Sequence, residues 1–240
     1  MASPPKSLPS GPGLLFIQVE DKLGALSKGV ASNWINDVGL PGTANTAGNA
    51  RSTTWKCADS SSTSPYLSLS VVEDLAKAAE EAGLPTGSHD VASMSGSDNG
   101  AVGAPKMDIR YYSLVEVFQK GNYDESYPVT HLLTAGLEPS TEEASVDLDK
   151  WYTEEHNEQM SLEPGWVRSK RYKLAAGPGI PEQGHKITWM TIHEFSQGNK
   201  LGAKAGFLDP VTPWTKKVIS QMSAHEAIVW INTRVTPESE

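Results

Sequence analysis

The chain runs through the same series of segments twice, and a repeat of this kind narrows the available folds more than any single motif does. Two short apolar strand candidates open the halves, Gly13–Glu20 and Val129–Glu138. Each leads through a Ser- or Thr-containing turn into a helical segment with a tryptophan, around Trp34 in the first half and Trp151 in the second. The strands Ser52–Cys57 and Ser169–Leu174 come next, and 21 positions separate both Trp34 from Trp55 and Trp151 from Tyr172 (55 − 34 and 172 − 151). A third pair, Tyr66–Glu73 and Ile187–Glu194, ends in Glu in both halves. Each half then offers a helix (Val72–Ala82; about 211–222) and a closing strand (Met107–Phe118; Ala227–Val235). The order per half is β-α-β-β-α-β. This predicts an α+β chain of two tandem ferredoxin-like repeats, each a four-stranded antiparallel sheet with helices on one face. The bare apolar face of such a sheet cannot stay in water. Two of them facing each other, as an intramolecular dimeric α+β barrel, solve that problem and leave room for a ligand between.

The expected organisation is a disordered tail over 1–12, a first repeat over 13–120 and a second over 126–235. A Gly-, Ser-, Asn- and Asp-rich insertion at about 83–106 shows no period and is expected to be irregular. The second-half helix is the best specified element. Ser140 and Glu143 form a capping-box pattern after Pro139. Leu148, Tyr152 and His156 then recur at helical spacing, and Pro164-Gly165 stops the helix.

Composition sets bounds on function. With 29 acidic and 20 basic residues the net charge is -9, which disfavours nucleic acid or an anionic membrane as partner. Arg168, Lys170, Arg171 and Lys173 are read as a local patch on a strand. One cysteine, Cys57, excludes an internal disulfide and a Cys-rich zinc site. No apolar run of about 18 residues is present, so no membrane span is expected. The expected setting is cytoplasmic, and the expected partner is a small molecule.

Trp151-Tyr-Thr-Glu-Glu-His156, Glu163-Pro-Gly-Trp166 and Arg168-Ser-Lys-Arg-Tyr172 resemble the EthD-like group of dimeric α+β-barrel proteins. Members share a W-Y-x-x-E-H helix, a Pro-Gly turn and an Arg-Tyr strand. The second half matches in order and spacing. The first half looks like a degenerate copy, with Val38-Gly39 where the second has Glu155-His156. The resemblance implies small decarboxylases, cofactor-free oxygenases, and cyclases or isomerases of aromatic, polyketide or lactone substrates, several of them accessory enzymes of fungal secondary metabolism. Fold alone does not choose among these.

His156 is the sharpest candidate for chemistry, since an imidazole titrates near neutrality and can pass a proton at working pH. Glu155 beside it would orient it or raise its pKa. Trp151, Tyr152, Tyr172, Trp189 and Trp230 supply aromatic surface for core or for a planar ligand. Arg171 would pair with a carboxylate or phenolate. His193 shares a strand face with Trp189 and Thr191, and His131 lies on the opening strand. Pointing between the sheets, these two imidazoles would line a pocket; pointing under the helices, they would be hydrogen-bonded core groups, and the sequence does not choose. His131, His156 and His193 come from separate elements without short-spaced pairing, so neither a metal nor an organic cofactor is expected. The expectation is therefore a cofactor-independent lyase, cyclase or isomerase, in one form a decarboxylase, working by His-mediated proton transfer. Its alternatives are a cofactor-free oxygenase of a phenolic substrate and a non-catalytic small-molecule binding protein. Tandem repeats would satisfy the usual dimer within one chain, leaving a monomer or a homodimer.

Overall fold

In the computed structural model of the protein, residues 8–21, 51–82, 87–90, 106–122, 127–176 and 187–233 are described. The Trp34 segment, with Val38 and Gly39, lies outside them, as does most of the 83–106 stretch. The chain divides into two compact units, one of Met1–Leu114 with Lys173–Ile180 and one of Val115–Tyr172 with Pro181–Glu240.

In unit one, β1 (Gly13–Glu20) is hydrogen-bonded antiparallel on both sides, to β3 (Tyr66–Val72) and to β5 (Lys106–Gln119). β2 (Arg51–Cys57) pairs with the outer side of β3. A short β4 (Gly87–Asp90) pairs with β5, where the composition suggested only irregular chain. Leu14, Leu15, Phe16 and Ile17 are all buried, so β1 is enclosed on both faces, as its unbroken apolar run requires. Leu15, Ile17 and Val19 join Val72, Leu75, Met107, Ile109 and Tyr111 in one cluster. Phe16, on the other face, meets Tyr112 edge-on at 6.0 Å. Helix α1 (Leu75–Ala82) begins where Asp74 Oδ1 accepts the Lys77 amide at 3.0 Å, an ordinary acidic N-cap. Gly13 is required by close approach: a Cβ there would sit 2.6 Å from the Tyr112 carbonyl oxygen and 2.7 Å from Leu75 Cδ1.

Unit two runs β6 (His131–Pro139), α2 (Glu142–Trp151), a π-helical turn (Tyr152–His156), α3 (Asn157–Met160), β7 (Trp166–Ala176), β8 (Trp189–Phe195), α4 (Pro213–Ser220) and β9 (Met222–Asn232). β6 is central, antiparallel to β8 and β9, and β7 lies beyond β8. Setting the short β4 aside and numbering four strands per unit in chain order, both sheets read 4-1-3-2. The helices cover one face, where Leu137, Leu148, Trp151, Tyr152 and Val218 form the core. Burying Leu148 and Val218 completely is worth about 1.5–3 kcal/mol each. Among the described residues no helix is long and apolar enough to cross a membrane.

The second-unit helix starts one residue later than the capping pattern suggests. Thr141 is the N-cap and accepts the Ala144 amide at 3.1 Å. The Ser140 amide is already bonded to the Gln221 carbonyl at 3.0 Å.

Candidate functional site

The site in unit two is built by a local irregularity in its long helix. After Trp151 the backbone widens into one π-helical turn, closed by the Asn157 amide bonding to the Tyr152 carbonyl. A π turn brings residues five apart over one another, and such turns recur at functional positions. Here it lays the His156 ring on the Trp151 ring, with centroids 4.1 Å apart and planes 23° from parallel. Tyr152 meets His156 edge-on at 5.1 Å, and His193 does so at 5.6 Å.

The strands beneath supply the floor. Side chains alternate across a sheet, so Ser169 and Arg171 on β7 share the helix-covered face with Trp189, Thr191 and His193 on β8. Arg171 bonds Glu116 at 2.8 Å and Asp149 at 2.9 Å. Its guanidinium carbon lies 4.4 Å from the centre of the Tyr152 ring and 5.3 Å from that of Trp189. Asn157 Nδ2 donates to Glu116 at 3.4 Å. Ser169 Oγ receives the Trp166 indole N–H at 3.1 Å and lies 2.7 Å from His193 Nδ1.

This surrounding fixes the charge of both imidazoles. Burial, and then the Arg171 charge, push His156 down to about 3. Burial, and then His156, hold His193 well below the usual histidine range. Both are therefore neutral at physiological pH. Burial also raises the Tyr152 phenol, against the opposing pull of a Thr191 hydrogen bond and the Arg171 charge. Four buried polar atoms here have no hydrogen-bond partner among the described residues: His156 Nδ1, His193 Nε2, Asn157 Oδ1 and Arg171 Nε. Enclosed polar atoms nearly always have partners, which sets these four apart as candidates for contact with a bound polar group.

The helix-covered face thus brings together His156, Trp151, Tyr152, Arg171, Trp189 and His193. Of the two orientations open to His193, it takes the one under the helices, where the sequence reading placed a hydrogen-bonded core group and not a residue of a pocket between the sheets. Glu155 does not orient His156. Its carboxylate accepts the Thr212 hydroxyl at 2.6 Å and the Trp151 indole N–H at 3.2 Å, which ties the π turn to the start of α4. Nor is His156 raised in pKa, because burial outweighs any carboxylate. His131 stands apart at the mouth of β6, where its Nδ1 meets Thr130 Oγ1 and Asn199 Nδ2, each at 3.0 Å. Burial lowers its pKa.

Tyr172 and Trp230 lie on the opposite sheet face, both buried. That face also holds residues that sequence reasoning passed over. Glu194 bonds Arg168 at 2.6 Å and Lys170 at 3.2 Å, with all three buried, and the Trp230 indole N–H donates to Thr134 at 2.9 Å. The signal was present in the parity: Arg168, Lys170 and Tyr172 alternate on one strand, as Met190, Ile192 and Glu194 do on the next. Reading the basic run as a surface patch hid it. Among the described residues no three His, Cys, Asp or Glu side chains come together as a metal set.

No family model matches the sequence, and no curated protein does. Solved structures do resemble the fold. An anthrone oxidase-like protein superposes with a TM-score of 0.56 at 8% identity, over 92% of each chain. A candidate monooxygenase from Fusobacterium nucleatum superposes with a TM-score of 0.52 at 8% identity, over 94% of each chain. At that identity the likeness is one of α+β fold alone.

Proposed function

We propose that the chain is an enzyme acting on a small aromatic or polyketide-derived molecule, with proton transfer at His156 as its central step. The two units are read as tandem ferredoxin-like repeats packed as an intramolecular dimeric α+β barrel, a reading supported by the shared 4-1-3-2 strand order. The reaction we assign to this site is of the lyase, cyclase or isomerase type, decarboxylation included. The observation that carries the reading is the pair of neutral imidazoles, His193 buried and His156 half-buried, each with a buried ring nitrogen that has no hydrogen-bond partner among the described residues.

A neutral imidazole is the form that accepts a proton, so His156 acts as the base. A value of about 3 is too low for efficient transfer near neutrality. An anionic substrate group beside it corrects this, because negative charge favours imidazolium and offsets Arg171. The substrate thereby raises the basicity of the residue that deprotonates it. Trp151, Tyr152 and Trp189 give planar surface around the pair, and Arg171 supplies a fixed cation. Tyr172, Trp230 and His131 lie outside this cluster and are assigned no step.

A second reading is oxygenation of a phenolic substrate. It takes support from the names of the two similar structures, an anthrone oxidase-like protein and a candidate monooxygenase. In it the same base would form the phenolate.

The test compares metabolites in the source organism carrying the wild-type gene, a deletion and His156→Ala. Accumulation of one precursor in both altered strains supports the enzyme reading, and the structure of that precursor identifies the reaction. A precursor seen in the deletion alone removes His156 from the mechanism. Unchanged output in both favours a binding protein.

A further inference from the structure

His193 is buried, neutral and held at one nitrogen only, which makes its tautomer a definite structural question. An indole N–H can only donate, so the Trp166 bond occupies a lone pair of Ser169 Oγ. The Ser169 hydroxyl hydrogen then has one acceptor among the described residues, His193 Nδ1 at 2.7 Å. A donated hydrogen at Nδ1 requires that nitrogen to be bare, so the ring proton sits on Nε2. That is the atom without a partner. Trp166, Ser169 and His193 thus form a directional chain that ends in a buried, unspent N–H donor.

We infer that Ser169 is a positioning residue that locks His193 as the Nε2–H tautomer, so that unit two offers an anionic oxygen a fixed neutral donor beside the His156 base. The inference deepens the proton-transfer reading and rests on it for its chemical purpose. It also narrows the substrate class. A fixed donor aimed at an oxygen that gains charge is worth most when that charge develops during the reaction. The fitting substrates are enolisable ketones and phenols, whose oxygen becomes enolate or phenolate as the adjacent C–H or O–H proton moves to His156. Arg171 Nε, on the neighbouring strand, is another buried donor without a partner among the described residues. In the other tautomer, His193 would present a bare Nε2 lone pair that repels such an anion.

The experiment reads the imidazole nitrogens of the full chain, labelled with 15N-histidine, by two-dimensional NMR at pH 7. The His193 signals are assigned by their loss in His193→Gln. The expected wild-type pattern is a bare Nδ1 and a protonated Nε2, retained in Ser169→Thr and shifted toward a tautomer mixture in Ser169→Ala. A wild-type proton on Nδ1 overturns the inference, and so does a folded Ser169→Ala with an unchanged pattern. If Ser169→Ala does not fold, the wild-type and Ser169→Thr spectra decide. The two readings fail separately. An Nε2–H wild type whose metabolite output is indifferent to His156→Ala upholds the Ser169 assignment and removes the proton-transfer step. An Nδ1–H wild type with output dependent on His156 does the reverse.

Discussion

A buried neutral imidazole has a cost that appears when the medium turns acidic. His156 is held at about 3, and His193 is also depressed, while an unfolded histidine titrates at about 6.5. Below 6.5 the unfolded chain binds protons that the folded chain refuses, so stability falls as pH falls. The stabilising contribution is complete above about 6.5 and is lost progressively toward the folded-state values. Each such histidine adds a slope of about 1.4 kcal/mol per pH unit across that window. Urea midpoints measured at pH 7 and pH 5 will therefore differ more in the wild type than in His156→Phe, which keeps the ring stack and removes the titration. Equal pH dependence would show that His156 protonates without unfolding the chain. On the other sheet face, the Glu194 carboxylate pairs with both Arg168 and Lys170. Glu194→Ala removes a carboxylate that both buried cations share and is expected to destabilise the fold, read as a lower urea midpoint. The residue type and the W-Y-x-x-E-H pattern were enough to single out His156 as a candidate in the sequence. The direction of the pKa shift was not, because it depends on what encloses the ring.

The helix over the site shows how a small departure from ideal periodicity sets geometry. Counting by fours puts Leu148, Tyr152 and His156 on one face, and the count correctly brings Tyr152 inward. It does not foresee that His156 stacks on Trp151, five residues back, which only the π turn permits. No local residue preference announces such a turn. The turn is held by a tertiary bond from Thr212 to Glu155, 57 residues apart in sequence, and the helix before it by Arg171 to Asp149. The cap was legible to within one residue, and the strand-edge bond of Ser140 explains the shift. Thr153 lies within the π turn and is exposed. Deleting it should return the segment to regular α-helix and swing the residues before it by about 100° relative to those after it. Helical circular dichroism should be retained while precursor conversion falls to the deletion-strain level. Full conversion would mean that the π turn does not position the base. Thr141→Ala, removing the cap alone, is expected to cost about 1 kcal/mol with no change in conversion.

At the scale of the whole chain, the 4-1-3-2 strand order found in both units accords with the order of segments read from the sequence, while Trp34, one end of the matched spacing in the first half, lies outside the described residues. The irregular stretch was less legible. The segment Gly87–Asp90 pairs along β5 with no alternation to announce it, since edge strands tolerate polar residues. The first unit carries no counterpart of Glu155-His156 in its sequence, so one site per chain is expected, in the second unit. This bears on assembly. If the two units stand in for the two subunits of a dimeric α+β barrel, the apolar face of each sheet is covered within one polypeptide, and no second chain is required. Sedimentation equilibrium of the purified protein should then return a single species of 25.8 kDa. Titration with a tight-binding substrate analogue should saturate at one molecule per chain, and His193→Gln, which keeps a neutral amide at the ring position, should weaken that binding without changing the mass. A dimer by sedimentation with one ligand per two chains would instead place the complete site between copies and would remove the intramolecular barrel from the description of this protein.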